Sequence, residues 1–340
     1  MRIALDAMGG DNAPNILVEA AVQVLQSNRD NLEILLVGDK DILEGRLPSK
    51  RPPGLSVIHA PEKVEMHDSP TSVLRRKKNS SIAVATRLQK QGEVDAFISA
   101  GNTGAVVVSS LLTLGAIEGV SRPAIASPFP SKTGICTVLD AGANADCKAE
   151  NLLQFGIMGS LYVNHIFGIE KPKVGLLSIG EESSKGNNLT LETHRLLSES
   201  ELNFIGNIEG GDVLRGTVDV VVCDGFVGNV ILKFTESIFD MVSSTIDTST
   251  RANPFGRIGT YFLKSAFTKL KQELNYEEYG GAPLLGVQGV TIICHGSSSI
   301  KAIRNAIKVA RRLVQDRINE CIKNQLKEET SSATKTLRLK

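Results

Sequence analysis

One amide poses the chemical question of this sequence. Asn229 sits among Val227, Val230, Ile231 and Leu232, directly after the turn Cys223-Asp224-Gly225 that ends a β-branched run. A carboxamide donor at the start of a helix suits the negative charge that develops on an attacked carbonyl oxygen. A buried amide that satisfies stray backbone groups is the plainer reading, since buried polar groups are normally bonded. Five other turns share this setting: "DAMGGDNAP" from Asp6, "SAGNTGA" from Ser99, "LDAGANADCKAE" from Leu139, "SIGEESSKGNN" from Ser178 and "CHGSSS" from Cys294. Glycine lets backbone approach a ligand, asparagine offers side-chain donors, and a helix N-terminus favours an anion. Any one such turn is more often a simple connection than a site. Six at one edge point to an anionic ligand.

Several familiar chemistries are missing. No Walker A sequence is present, no G-x-G-x-x-G follows a strand, and no H-E-x-x-H, G-x-S-x-G or Cys–His signature occurs. Of the five histidines, His59, His67, His165 and His194 read as structural or solvated, whereas His295 opens a strand-end turn. Asp6, Asp11 and Asp224 fit no metal template, so loop support is their expected role, and neither a metal nor a cofactor is expected. The five cysteines are scattered, form no C-x-x-C pair and mostly fall in apolar runs, which suits a reducing compartment.

These turns need a scaffold. Short apolar strands alternate with helical periodicity throughout, which predicts an α/β fold with a mostly parallel sheet covered on both faces. Ligands then bind beyond the carboxyl ends of the strands. With 340 residues, 41% of them hydrophobic, the chain can bury a large core. We expect one α/β domain over residues 1–327, with a helical protrusion at 236–280 where no strand is evident. Apolar spacing at 300, 303, 307, 310, 314 and 318 predicts a final buried-face helix, and 328–340 reads as a disordered tail. Net charge is +1, so nucleic acid is not an expected partner. No uncharged apolar run reaches the roughly 18 residues needed to cross a bilayer. A cytoplasmic chain, free to lie on a membrane, is the expectation.

The turns above, together with "IGEE", "GNIEG", "CDGFVGN" and "GGAPLLGV", occur jointly and in order. In this the chain resembles the bacterial phosphate acyltransferases of phospholipid synthesis, from Met1 to about Val314. Ala141 departs from the pattern, where valine is expected. The resemblance implies transfer of an acyl group from acyl-[acyl carrier protein] to inorganic phosphate, giving an acyl phosphate. It also implies a Rossmann-like three-layer α/β/α fold related to isopropylmalate dehydrogenases and phosphotransacetylases. A homodimer, peripheral membrane attachment and a downstream glycerol-3-phosphate acyltransferase follow from the same source.

The residues suit phosphorolysis of a thioester. Phosphate is largely a dianion near neutrality, its second pKa lying at about 6 by analogy with phosphoserine. The leaving thiol, with a pKa of about 8.5, departs without a strong acid. Positioning and charge stabilisation remain. Lys185, just beyond a strand end, would neutralise phosphate or the oxyanion, and Asn229 would form an oxyanion hole; the resemblance places both at the active site. A solvated loop lysine is the alternative for Lys185. Expected phosphate or substrate contacts are Asp6, Gly9, Gly10, Asp11, Gly101, Asn102, Thr103, Gly104, Gly142, Asn144, Asp224, Gly225, His295, Gly296 and Ser297.

Two local surfaces suggest partners. Arg75, Arg76, Lys77 and Lys78 lie beside an expected helix start and would steer an acidic carrier protein, unless they are merely a solvated face. Phe255, Ile258, Phe262 and Phe267 recur at helical spacing with Arg257 and Lys264 nearby, which fits an anionic membrane surface or a packed dimer face. Rival functions are a coenzyme A-dependent phosphotransacylase, a nicotinamide-dependent dehydrogenase and a non-catalytic membrane scaffold.

Overall fold

A computed structural model describes residues 1–27, 31–252 and 279–338. The expected strand–helix alternation is present, but the strands build two sheets rather than one. The first has the order β3 (Leu55–His59), β2 (Glu33–Gly38), β1 (Arg2–Asp6), β4 (Ala96–Ser99), β12 (Val290–Ile293), β11 (Ala282–Leu285), β5 (Ala124–Ile125). The second runs β6 (Ser127–Ser131), β7 (Gly134–Leu139), β10 (Val220–Val222), β8 (Val174–Leu177), β9 (Phe204–Ile208). Pairing is parallel except at β11, β5 and β6. The chain passes between sheets at Ala126 and rejoins the first at Ala282.

The six turns follow β1, β4 and β12 in one sheet and β7, β8 and β10 in the other. Each sheet thus supplies three strand ends, and the site must form where they meet.

Helix starts follow from capping. Asn102 accepts from the Ala105 N–H at the head of α5 (Thr103–Leu114), and Ser299 does the same for Ala302 in α10 (Ile300–Gln315). On β7 and β10 of the second sheet, and against α10, packs α6 (Ala149–Phe167), whose Phe155, Met158 and Tyr162 are fully buried. One hydrophobic cluster takes residues from both sheets, including Leu5, Ile292, Leu139 and Val220, together with α6. It joins the two halves.

One sequence expectation is corrected. The final helix breaks at Arg317, which has φ 51°, so α10 ends at Gln315 and α11 spans Ile318–Arg338. Residues 236–252 of the expected protrusion belong to one long helix, α9 (Gly225–Ala252), that starts at the β10 turn. The rest of the protrusion falls largely on residues 253–278, outside the described residues.

Helix α6 lies close on the second sheet. A Cβ at Gly159 would sit 2.7 Å from Val220 Cγ1 and 2.8 Å from Leu139 Cδ1. Gly159→Val is therefore expected to overpack this contact and lower the unfolding free energy by ~1–3 kcal/mol in denaturant titration.

Candidate active site

Carboxylates hold the strand ends together. Asp140, fully buried after β7, accepts from the N–H groups of Ile125, Gly142, Ala143 and Asn144, at 2.7–3.1 Å, and from the Asn144 side chain at 2.8 Å. Asp6, 1% exposed after β1, accepts from the Ser99 hydroxyl at 2.6 Å and from the Met8 N–H at 3.1 Å. Burial pushes both carboxyls above the usual carboxylate range, while these donors pull the other way. Asp224 accepts from the Val227 N–H at 2.9 Å and caps α9. Loop support is what the sequence suggested for Asp6 and Asp224. The sequence reading overlooked Asp140, although an aspartate followed by three small residues at a strand end is a visible signal.

This bonding engages several groups of the expected phosphate cradle. The amides of Gly142 and Asn144 are spent on Asp140, the Gly101 N–H donates to Ser99, and the Gly225 N–H donates to the Asn144 carbonyl. Nor are the two asparagine side chains free for a ligand. Asn144 donates to the Pro123 carbonyl, and Asn102 donates to the carbonyls of Glu65, Met66 and Asp68. The reason is physical: a chain that buries strand-end N–H groups must give them acceptors, and here its own oxygens serve.

The β1, β4 and β12 turns pack on one another. A Cβ at Gly9 would meet the Asp6 carboxylate and the Gly101 nitrogen, and one at Gly10 would meet the Gly296 carbonyl. Asp11 is exposed, and its N–H donates to that same carbonyl at 2.8 Å. His295 Nδ1 lies 2.7 Å from the Ser297 hydroxyl, and its Nε2 is 3.9 Å from Glu236 on α9.

Across from them, α9 is seated on the β7 turn. A Cβ at Gly228 would overlap the Asp140 carbonyl. Gly142 has φ 132°, a conformation that favours glycine, and its missing Cβ leaves room 3.3 Å from the Asn229 Cβ. Asn229 is exposed rather than buried, which argues against the plainer reading of this amide as a core residue. With Thr103, Ala141 and His295 it lines one cavity between the sheets. There the first turn of α5 leaves the Thr103 and Gly104 N–H groups without intrahelical acceptors. This is where the strand ends of both sheets converge.

Lys185 is exposed in the loop after β8. Its neighbours Gly186 and Asn187 line a second cavity with Asp224 and Val227. Lys185 and Asn229 thus flank the same first turn of α9 but do not line one cavity.

The basic run lies between two helices. Arg75 and Arg76 end α3 (Pro70–Arg76), the next helix starts at Ser81 as the sequence suggested, and both arginines are exposed, as is Lys78. Lys77 is drawn inward, with its ammonium 2.6 Å from Asp68 and 2.8 Å from the Lys63 carbonyl. Asn102 ties this segment to the head of α5, so the exposed arginines sit on an element anchored at the site. Phe255, Ile258, Phe262 and Phe267 lie outside the described residues.

No activated thiol competes for the chemistry at Cys136, Cys223 or Cys294. All three are buried, and burial pushes Cys136 and Cys294 up to about 12.

Asp140→Ala would strand four backbone N–H groups. It is expected to cost at least about 3 kcal/mol, at about 1–3 kcal/mol per stranded buried group. The midpoint of denaturant unfolding checks this, and an unchanged midpoint would contradict the role given to Asp140.

Comparison with known proteins agrees with this architecture. The profile of the family described as "Fatty acid synthesis protein" matches residues 1–321. A phosphate acyltransferase of Pelotomaculum thermopropionicum is 50% identical over 327 residues, covering 96% of this chain and 95% of that one. One from Geobacter sulfurreducens is 45% identical over 331 residues, covering 97% and 95%. Among solved structures, a phosphotransacetylase from Streptococcus pyogenes superposes with a TM-score of 0.63 at 15% identity, covering 93% of this chain and 94% of its own. A branched-chain phosphotransacylase from Enterococcus faecalis gives 0.53 at 14% identity, covering 92% and 99%. These two share the fold, a three-layer α/β/α arrangement. By sequence, the chain belongs to the fatty acid synthesis protein family, in which its close relatives are phosphate acyltransferases.

Proposed function

We propose that the chain transfers an acyl group from an acyl-[acyl carrier protein] thioester to inorganic phosphate, producing an acyl phosphate for phospholipid synthesis. The observation that carries this reading is the shared wall of Thr103, Asn229 and His295, where a helix N-terminus and an uncommitted amide face one space. Phosphate would bind at the Thr103 and Gly104 N–H groups and the Thr103 hydroxyl, since the neighbouring loop amides are already bonded. From there a phosphate oxygen attacks the thioester carbonyl. Asn229 would donate to the oxyanion of the tetrahedral intermediate, and that intermediate collapses with loss of the carrier thiolate. Lys185, on its flexible four-carbon stem, would reach over the first turn of α9 to neutralise charge as substrate binds; catalytic contacts often tighten only in the complex.

Arg75, Arg76 and Lys78 would meet the acidic carrier protein and favour it over a coenzyme A donor. Exposed Phe226, Val230, Phe234 and Met241 along α9 support a covered apolar face, here assigned to a homodimer. Among the described residues no helix is long and apolar enough to cross a membrane. Attachment to an anionic bilayer through Phe255, Ile258, Phe262 and Phe267 would be peripheral.

Asn229→Ala should reduce kcat for phosphate-dependent thiol release by about 10²–10³ with the fold intact, as loss of an oxyanion donor does. Near-normal turnover in the purified variant would rule out that role. Reversing charge in Arg75→Glu/Arg76→Glu should raise KM for the carrier thioester and weaken its salt dependence, leaving KM for phosphate alone. No response in either quantity would reduce the patch to solvated surface.

A further inference from the structure

We propose that the cavity beside Asn229 is the channel for the donor's acyl chain, and that residues between the two sheets set the chain length accepted. This rests on the acyl-transfer reading above. The cavity is lined by Ile125, Phe129, Ala141, Leu232, Ala282 and Ile293, drawn from both sheets and from α9. Phe129 is 2% exposed and Ile125, Ala141 and Ile293 are 4–6% exposed, so the apolar wall is interior surface. The polar groups that also line it are in part paired: Lys233 bonds Glu236 at 2.8 Å, and Glu236 also faces His295.

The wall contributed by β6 is unusual for an edge strand. β6 pairs with β7 alone, and its sequence Ser127-Pro128-Phe129-Pro130-Ser131 places two prolines there. Proline has no N–H, so the edge loses donors that it would otherwise turn toward the cavity. A hydrocarbon chain needs such a wall, whereas a sugar, nucleotide or peptide would need donors. Geometry links the cavity to the reaction, because Asn229 lines it. A carbonyl oxygen bonded to that amide carries its alkyl chain into the same space. Each methylene buried there is worth about fourfold in binding.

Filling the channel should therefore discriminate by length. Ile125→Phe and Ala282→Leu act from different strands, β5 and β11, and add bulk to its wall. At saturating phosphate, each is expected to lower the ratio of kcat/KM for palmitoyl over butyryl thioester by about tenfold or more. KM for phosphate should not move. An unchanged ratio in active variants would overturn the proposal. The unmodified chain offers a test free of folding effects: a palmitoyl thioester carrying a terminal diazirine should, on irradiation, label peptides containing Phe129 or Leu232. Labelling confined to other peptides would also overturn it. Failure of the underlying reading has a separate signature, because the unmodified chain would then release no thiol from either donor with phosphate.

Discussion

The seating of α9 on the turn after β7 is the constraint from which the site follows. Asp140 gathers the backbone N–H groups of its own loop, so the loop presents carbonyl oxygens and a glycine surface outward. Gly228 then comes against the Asp140 carbonyl, and Gly142 leaves the space that Asn229 fills. A β-carbon at Gly228 would push the helix off this seat. The position of the Asn229 amide is thus fixed by the seat of α9 on the Asp140 carbonyl and by two missing side chains. Such contacts are stiff, which matters because a misplaced donor loses most of its value to a developing charge.

The same carboxylates sort the strand ends into spent and available donors. Asp6 and Asp140 act as built-in acceptors, and the N–H groups around them are already bonded. What stays open is the head of α5, where the helix itself leaves N–H groups unbonded. Asn102 caps that helix through its oxygen and anchors residues 65–68 through its nitrogen. One side chain therefore couples the head of α5 to the segment leading into the helix that carries Arg75 and Arg76.

Much of the fold could be read from residue order. Alternation of β-branched runs with helical spacing identified the elements, because parallel strands buried on both faces have few other sequence solutions. The division into two sheets was not legible. It depends on short strands such as Ala124–Ile125 and on the antiparallel, proline-bearing β6, whose pairing is set by tertiary packing. The break at Arg317 was hidden for a related reason: Val314 and Ile318 keep helical spacing across it. At the candidate site, residue types singled out turns that the fold brings to facing strand ends but could not separate their bonding. Asn102, Asn144 and Asn229 look alike in sequence, yet two are bonded to backbone carbonyls and one is exposed. Only the fold decides which amide a ligand can reach.

The most direct test of the account is a crystal structure of the chain soaked in inorganic phosphate. One phosphate is expected between the sheets, with oxygens within hydrogen-bond distance of the Thr103 and Gly104 N–H groups and with the Asn229 amide facing the adjoining cavity. Phosphate bound instead to the amides of residues 142–144, displacing the Asp140 carboxylate, would contradict it.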